Sequence, residues 1–205
     1  NIIEFLENNN KINDEWNSFN ILSNDASTVG SYDLGIVTSN DRSNKVIEGI
    51  KKNNFKILFL LGQDNFNFKK KGEFVIYIGT HGDRGAEISD VILPGAAYTE
   101  QDGYYTNLEG KLQKAYKASY PPGESKEDWS IINELASKIK RKKLFIDRDE
   151  LENNMINFLK LVKNGNKKND LKELNFLDQN INFKDIDYYY SNVIARSSKT
   201  MTECR

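Results

Sequence analysis

Cysteine and histidine are almost missing from this chain of 205 residues: Cys204 and His81 are the sole examples. One cysteine excludes an intramolecular disulfide. It also excludes, within the chain, the four-thiolate sets that hold iron–sulfur clusters or structural zinc, and with one histidine a His/Cys metal site goes too. Long apolar runs are lacking as well. The longest, Ile57–Leu61, has the length of a strand, far short of the roughly 20 residues that cross a bilayer, so the chain reads as a soluble protein. The opening NIIEFLENNN has neither the basic start nor the apolar stretch of a secretory signal. It has no initiator methionine, and the expectation is a processed, trimmed or partial polypeptide. An excess of one charge is absent too: 29 basic and 30 acidic residues give −1, which steers the chain toward neither nucleic acid nor an anionic membrane. Lysine outnumbers arginine 23 to 6 beside 26 asparagines, the imprint of an AT-rich coding genome.

What is present is a chain long enough to bury one sizeable core. Residues 1–30 are expected to be helical, with Ile12, Trp16 and Phe19 on one face and Gly30 as the stop. A second helix is expected to start near Ser39–Asp41, to carry Val46, Ile47 and Ile50 inward, and to end at Asn53–Asn54. Phe55–Leu61 then reads as a strand covered on both faces, followed by strands at Phe74–Ile78 and Asp90–Leu93, each closed by Gly or Pro. Such a series implies an α/β fold: an open, mostly parallel sheet with flanking helices, its working loops at the strand ends 62–65, 79–87 and 94–103. Beyond Pro121-Pro122-Gly123, Ser125 and Asp128 form a capping-box-like start to a helix carrying Trp129, Ile132, Leu135, Ala136 and Ile139. Another helix is expected over Asp149–Val162, then an extended tail without its own core. The division drawn is 1–145 as the α/β domain and 146–205 as a helical segment with that tail.

The glycine-dense stretch Gly79–Gln113 is the place to look for chemistry. Glycines at 79, 82, 85, 95, 103 and 110 imply tight turns or close backbone approach. His81, Asp83 and Arg84 follow a strand and raise an acid–base or anion-binding role, but a histidine in such a turn more often hydrogen-bonds its own loop. Gly79, Gly82 and Gly85 lack the spacing of either nucleotide-binding fingerprint. Ser89, Thr99 and Ser119 lack the context of a hydrolase nucleophile. Asp90, Glu100, Asp102 and Glu109 read as solvated loop carboxylates rather than a catalytic pair. Lys138–Lys143 carries no interleaved aromatics and reads as favourable charge at a helix end. Tyr188–Tyr190 serves core or interface equally well. On this reading no residue is assigned as catalytic, cofactor-binding or metal-binding.

Three phrases change the footing: FKILFLLGQD, VIYIGTHGDRGAEISDVILPGAAYTEQDGYYTNLEGKLQ and YPPGESKEDWSIINELA. With the ending IARSSKTMTEC, they resemble the C-terminal portion of the large iron–sulfur subunit family of respiratory complex I, NADH–ubiquinone oxidoreductase. The resemblance is strong over 16–140, patchy over 141–190, and returns at 193–204. It implies a molybdopterin-oxidoreductase-like domain that has kept the scaffold and lost the pterin cofactor. The iron–sulfur clusters and FMN would lie elsewhere in the complex. The implied partners are other complex I subunits, above all the cluster-bearing N-terminal part of the same large polypeptide, with no nucleic acid and no membrane insertion. The implied place is the matrix side of the mitochondrial inner membrane, in the peripheral arm. The alternative is a molybdopterin-dependent oxidoreductase domain that still binds its cofactor.

Overall fold

The computed structural model describes residues 2–13, 15–20, 22–23, 25–36, 40–63, 68–165 and 187–204. Its centre is a three-stranded parallel sheet in the order β1 (Ile57–Leu61), β2 (Phe74–Gly79) and β3 (Val91–Pro94). The register pairs Leu60 with Tyr77 and Tyr77 with Ile92, so side chains alternate between two faces. On one face Leu60, Val75 and Tyr77 form the buried core, packed by Leu58, Phe68, Ala86 and Ile88. Phe68 belongs to the β1–β2 connection, and Ala86 lies in the short helix α4 (Arg84–Glu87) between β2 and β3. Both connections therefore cover the same face. The opposite face carries the rows Ile57–Phe74, Phe59–Ile76–Val91 and Leu61–Ile78–Leu93. Of these, Ile57, Phe59, Leu61, Phe74 and Val91 are exposed. The expectation of a strand covered on both faces is corrected here: only Leu60 of β1 is buried. The strand also starts two residues later than expected, at Ile57.

The glycine-dense stretch holds a β-hairpin where its composition suggests loop. Strands β4 (Gly103–Thr106) and β5 (Leu112–Ala115) pair antiparallel. Asn107 makes the turn: its side-chain oxygen accepts the amides of Glu109 and Lys111 at 3.1 and 2.9 Å, and Gly110 takes φ +79°. The helix expected from Ser125 is α5 (Asp128–Lys140), and its actual N-cap is Glu127. Ser125 instead donates to the Pro122 carbonyl. Its buried apolar residue is Ile131, while Ile132 and Ile139 are exposed. Asn133, buried in α5, accepts the amides of Leu144 and Phe145 at 2.8 and 3.1 Å and so folds the following loop back on the helix. The last turn holds Lys138 and Lys140, where the helix dipole favours positive charge, and Arg141 ends the helix in the left-handed conformation.

The first 30 residues are not one helix. Helix α1 (Ile2–Asn8) stops where Asn10 turns to φ +54°, and an isolated antiparallel bridge joins Ile12 to Asn17. Asn13 accepts the amides of Glu15 and Trp16 and holds that turn, a local bond that competes with helix. Trp16 is exposed. Gly30, read as a stop, lies buried inside α2 (Thr28–Asp33), where a Cβ would meet Ser27 and Thr106 hydroxyls at 2.7 and 2.9 Å. The next helix, α3 (Asn40–Lys51), is where it was expected, but Val46 and Ile47 are exposed. The expected cap Ser39 lies outside the described residues, as does 166–186 of the tail. Helix α6 (Arg148–Gly165) buries Leu159. The described end of the chain is a 3-10 turn (Tyr188–Tyr190) and two short helices, α7 (Val193–Ser197) and α8 (Lys199–Glu203), rather than the extended tail expected.

Candidate functional site

In an open α/β sheet the loops beyond the carboxyl ends of the strands form the working crevice. Here β1 ends at Gly62 with φ +61°, β2 runs into Thr80–Asp83, and β3 into Gly95–Tyr98. These loops approach closely. The Gly95 amide donates to the Gly79 carbonyl at 2.9 Å, and the Lys126 amide to Pro94 at 3.1 Å, so the proline that cannot donate still takes part through its carbonyl. Close approach is also what the glycines here serve. A Cβ at Gly85 would fall 2.6 Å from the Tyr77 ring and 2.7 Å from the Gln63 carbonyl oxygen. Around Gly82, by contrast, the space is open.

His81 bonds its neighbour: Thr80 Oγ1 and His81 Nδ1 are 2.8 Å apart. Asp83 is divided between two tasks. Its Oδ1 accepts the Arg84 amide at 2.7 Å and caps α4, while its Oδ2 lies 3.4 Å from Arg196 of α7, 113 residues on. That ion pair brings the end of the chain onto the strand-end loops. A cavity of about 580 Å³ lies beneath it, lined by Asp25, Gly62, Tyr98, Tyr105, Asn192, Val193 and Arg196 among others. The four loop carboxylates are spent locally. Asp90 pairs with Lys70 and accepts the Val75 amide, Glu100 accepts Ala97, Asp102 accepts Lys117, and Glu109 takes a long bond from Asn107. Among the described residues no three His, Cys, Asp or Glu side chains gather as a metal would need.

Two features escape sequence reading. Asp128, in the first turn of α5, has its carboxylate against the strand-end backbone, 2.6 Å from where a Gly95 Cβ would stand. Burial pushes its pKa up to about 6. The other is a charged hub away from the crevice. Glu152 of α6 accepts from Lys114 and from Tyr104, both at 2.8 Å, and from Arg148 at 3.0 Å. The Lys114 bond, followed by those of Arg148 and Tyr104, brings its pKa down to about 2. Arg148 also bonds Glu127 and the Asp102 carbonyl, which ties α6 to α5 and the hairpin. Arg148 and Glu152 stand at the i, i+4 spacing of a helical ion pair, but Tyr104 and Lys114 lie 48 and 38 positions away and no spacing rule announces them.

A family model for molybdopterin oxidoreductases matches residues 1–138. This chain belongs to that family. Its curated relatives sharpen the placement. The NADH-ubiquinone oxidoreductase 75 kDa subunit of Reclinomonas americana is 39% identical over 202 residues, covering 92% of this chain and 28% of that protein. The G subunit of NADH-quinone oxidoreductase from Rickettsia bellii is 39% identical over 210 residues, covering 99% and 30%. The mitochondrial NADH-ubiquinone oxidoreductase 78 kDa subunit of Neurospora crassa is 31% identical over 219 residues, covering 98% and 28%. The chain thus spans less than a third of the length of these relatives. The resemblance to the large subunit of complex I and the α/β sheet with flanking helices are both borne out.

Membership raises the question of whether the strand-end crevice suits a pterin dinucleotide. Its diphosphate calls for cationic or amide donors turned into the cavity. Arg196, the cationic side chain among the described residues lining the cavity, is engaged by Asp83 and the Ser191 carbonyl, and Asp25 adds negative charge to the wall. Asp128 stands at the ends of the same strands. Among the described residues, the donor set of this cavity does not fit a diphosphate.

Proposed function

We propose that this chain is a scaffold segment of the large iron–sulfur subunit of mitochondrial NADH–ubiquinone oxidoreductase, in the peripheral arm on the matrix side. It holds the cluster-bearing part of that polypeptide and its neighbours in place while electrons pass from NADH to ubiquinone, and it carries no redox centre itself. The observation that carries this reading is the match of 92–99% of the chain to subunits of that enzyme. It is supported by a single cysteine, at position 204 and exposed, against the four thiolates a cluster needs. Among the described residues, no helix is long and apolar enough to cross a membrane.

The family match keeps one second reading in view, a domain that binds molybdopterin. Metal analysis of the native NADH dehydrogenase assembly separates the two. The scaffold reading predicts that the chain co-migrates with NADH dehydrogenase activity and that the assembly contains iron without stoichiometric molybdenum or tungsten. Stoichiometric molybdenum or tungsten that departs when this chain is removed overturns it.

A further inference from the structure

The apolar face of the sheet opposite the core has no charged residue in any of its three cross-strand rows. Cover is confined to the far end of the third row: Ile78 is buried and Leu93 lines a cavity with Ile131 and Leu135 of α5, while Leu61 at the β1 end of that row is exposed. Ile57, Phe59, Phe74 and Val91 remain 57, 52, 46 and 37% exposed. Parallel sheets occur with both faces covered. The edges are unequal too. The outer edge of β3 continues into a parallel bridge between Gly95 and Lys126, whereas β1 pairs with β2 alone among the described residues. Yet β1 reads ILFLL, the unbroken apolar run of a strand covered on both faces, as interior strands of parallel sheets are.

Topology says where cover comes from. The sheet grows from β1 to β3 in one direction, and both its connections lie on the core face. Parallel crossovers are right-handed, so where the chain travels away from β1 in the other direction its crossover helices lie on the opposite face. We propose that β1 is an interior strand of the assembled protein. A further parallel strand pairs with its open edge, and the helix joined to that strand lays an apolar stripe across Ile57, Phe59, Phe74 and Val91. The occupant is a strand–helix segment of the polypeptide that the relatives carry outside the aligned span, of which this chain covers only 28–30%. This rests on the reading that the chain works beside the rest of that polypeptide.

The test compares the full chain alone with the full chain co-expressed with the remainder of the large iron–sulfur polypeptide. The backbone amides of Ile57, Phe59 and Leu61, which face the open edge while their neighbours bond β2, are expected to exchange fast in the free chain and slowly in the assembly. Phe59→Glu should weaken association at least about a hundredfold, because it buries a charge in an apolar seam. Ile139→Glu, on an exposed site of α5, should leave association unchanged. Melting of the free Phe59→Glu chain near the wild-type value shows that folding is not what was lost. Equal slow exchange with and without the partner overturns the proposal, since the chain then covers β1 itself. So does a stable dimer of the free chain that Phe59→Glu dissolves. If the Phe59→Glu chain enters an active complex normally, the docking surface is wrong and the scaffold reading stands; if the wild-type chain enters no complex, both fail.

Discussion

The parallel sheet and the hairpin–α6 region are held together by different physics. The sheet rests on shape: Val75 and Tyr77 are 0 and 1% exposed, and glycines beside them let backbone pass where any Cβ would clash. The hairpin–α6 region rests on charge, with Glu152 as acceptor for three donors from β4, β5 and its own helix. Close packing is indifferent to pH and intolerant of volume. A carboxylate hub is the reverse, tolerant of shape and lost to protons. The crevice lies at the meeting of the two, where Asp128 and Asp83 touch the sheet's loops and the end of the chain.

The largest effect should come from volume added to the sheet region. Gly85→Val places a side chain against both the Tyr77 ring and the Gln63 carbonyl, and overpacking of that kind costs about 1–3 kcal/mol or more. Gly82→Val, with open space around it, should melt near wild type. This separates two glycines that sequence alone treats alike. Equal melting of both variants would break the claim that shape holds the sheet.

Next comes the hub. Glu152→Gln removes the charge that three donors share and should cost about 1–3 kcal/mol, read as a lower melting temperature and faster exchange in α6 and the hairpin than in β1–β3. The pH dependence follows from the sign of the shift. The carboxyl of Glu152 is depressed to about 2 from 4.5, so its contribution is present above the unfolded value and lost as pH falls from about 4.5 toward 2. A wild-type acid transition that Glu152→Gln leaves unaltered would contradict this.

Asp128 should give a smaller effect of opposite sign. Its folded pKa is raised to about 6 from 3.8. Its contribution is therefore favourable below the unfolded value and is lost as pH rises through about 6. Asp128→Asn should stabilise the chain at pH 7.5 by about 1 kcal/mol after allowance for solvent screening, and by much less at pH 3.5. Equal gains at both pH values would show that burial of the charge is not the cause.

How much of this is legible in the sequence depends on the range of the interactions. Strands β1–β3 are visible because apolar runs ended by Gly or Pro have a local cause. Their one-sided burial is not, since a run such as ILFLL does not say which chain covers it. The expected N-terminal helix fails because Asn10 and Asn13 turn the backbone within the apparent period. The hairpin is hidden by glycines that suggest loop, although Asn107 and Gly110 are an ordinary turn signal. At the crevice, Asp83 stands out for its chemistry, but its partner Arg196 is 113 positions away. Glu152 signals only its i, i+4 pairing with Arg148; its partners Tyr104 and Lys114 come from the hairpin and meet it only in the fold.

The central claim is that the strand-end loops support the complex without reacting in it, and turnover of the assembled enzyme carrying His81→Ala tests it most directly. The account predicts NADH:ubiquinone turnover per assembled complex close to wild type, with flavin and cluster content unchanged. A large fall in turnover, with assembly and cluster content intact, would give His81 a chemical role and contradict it.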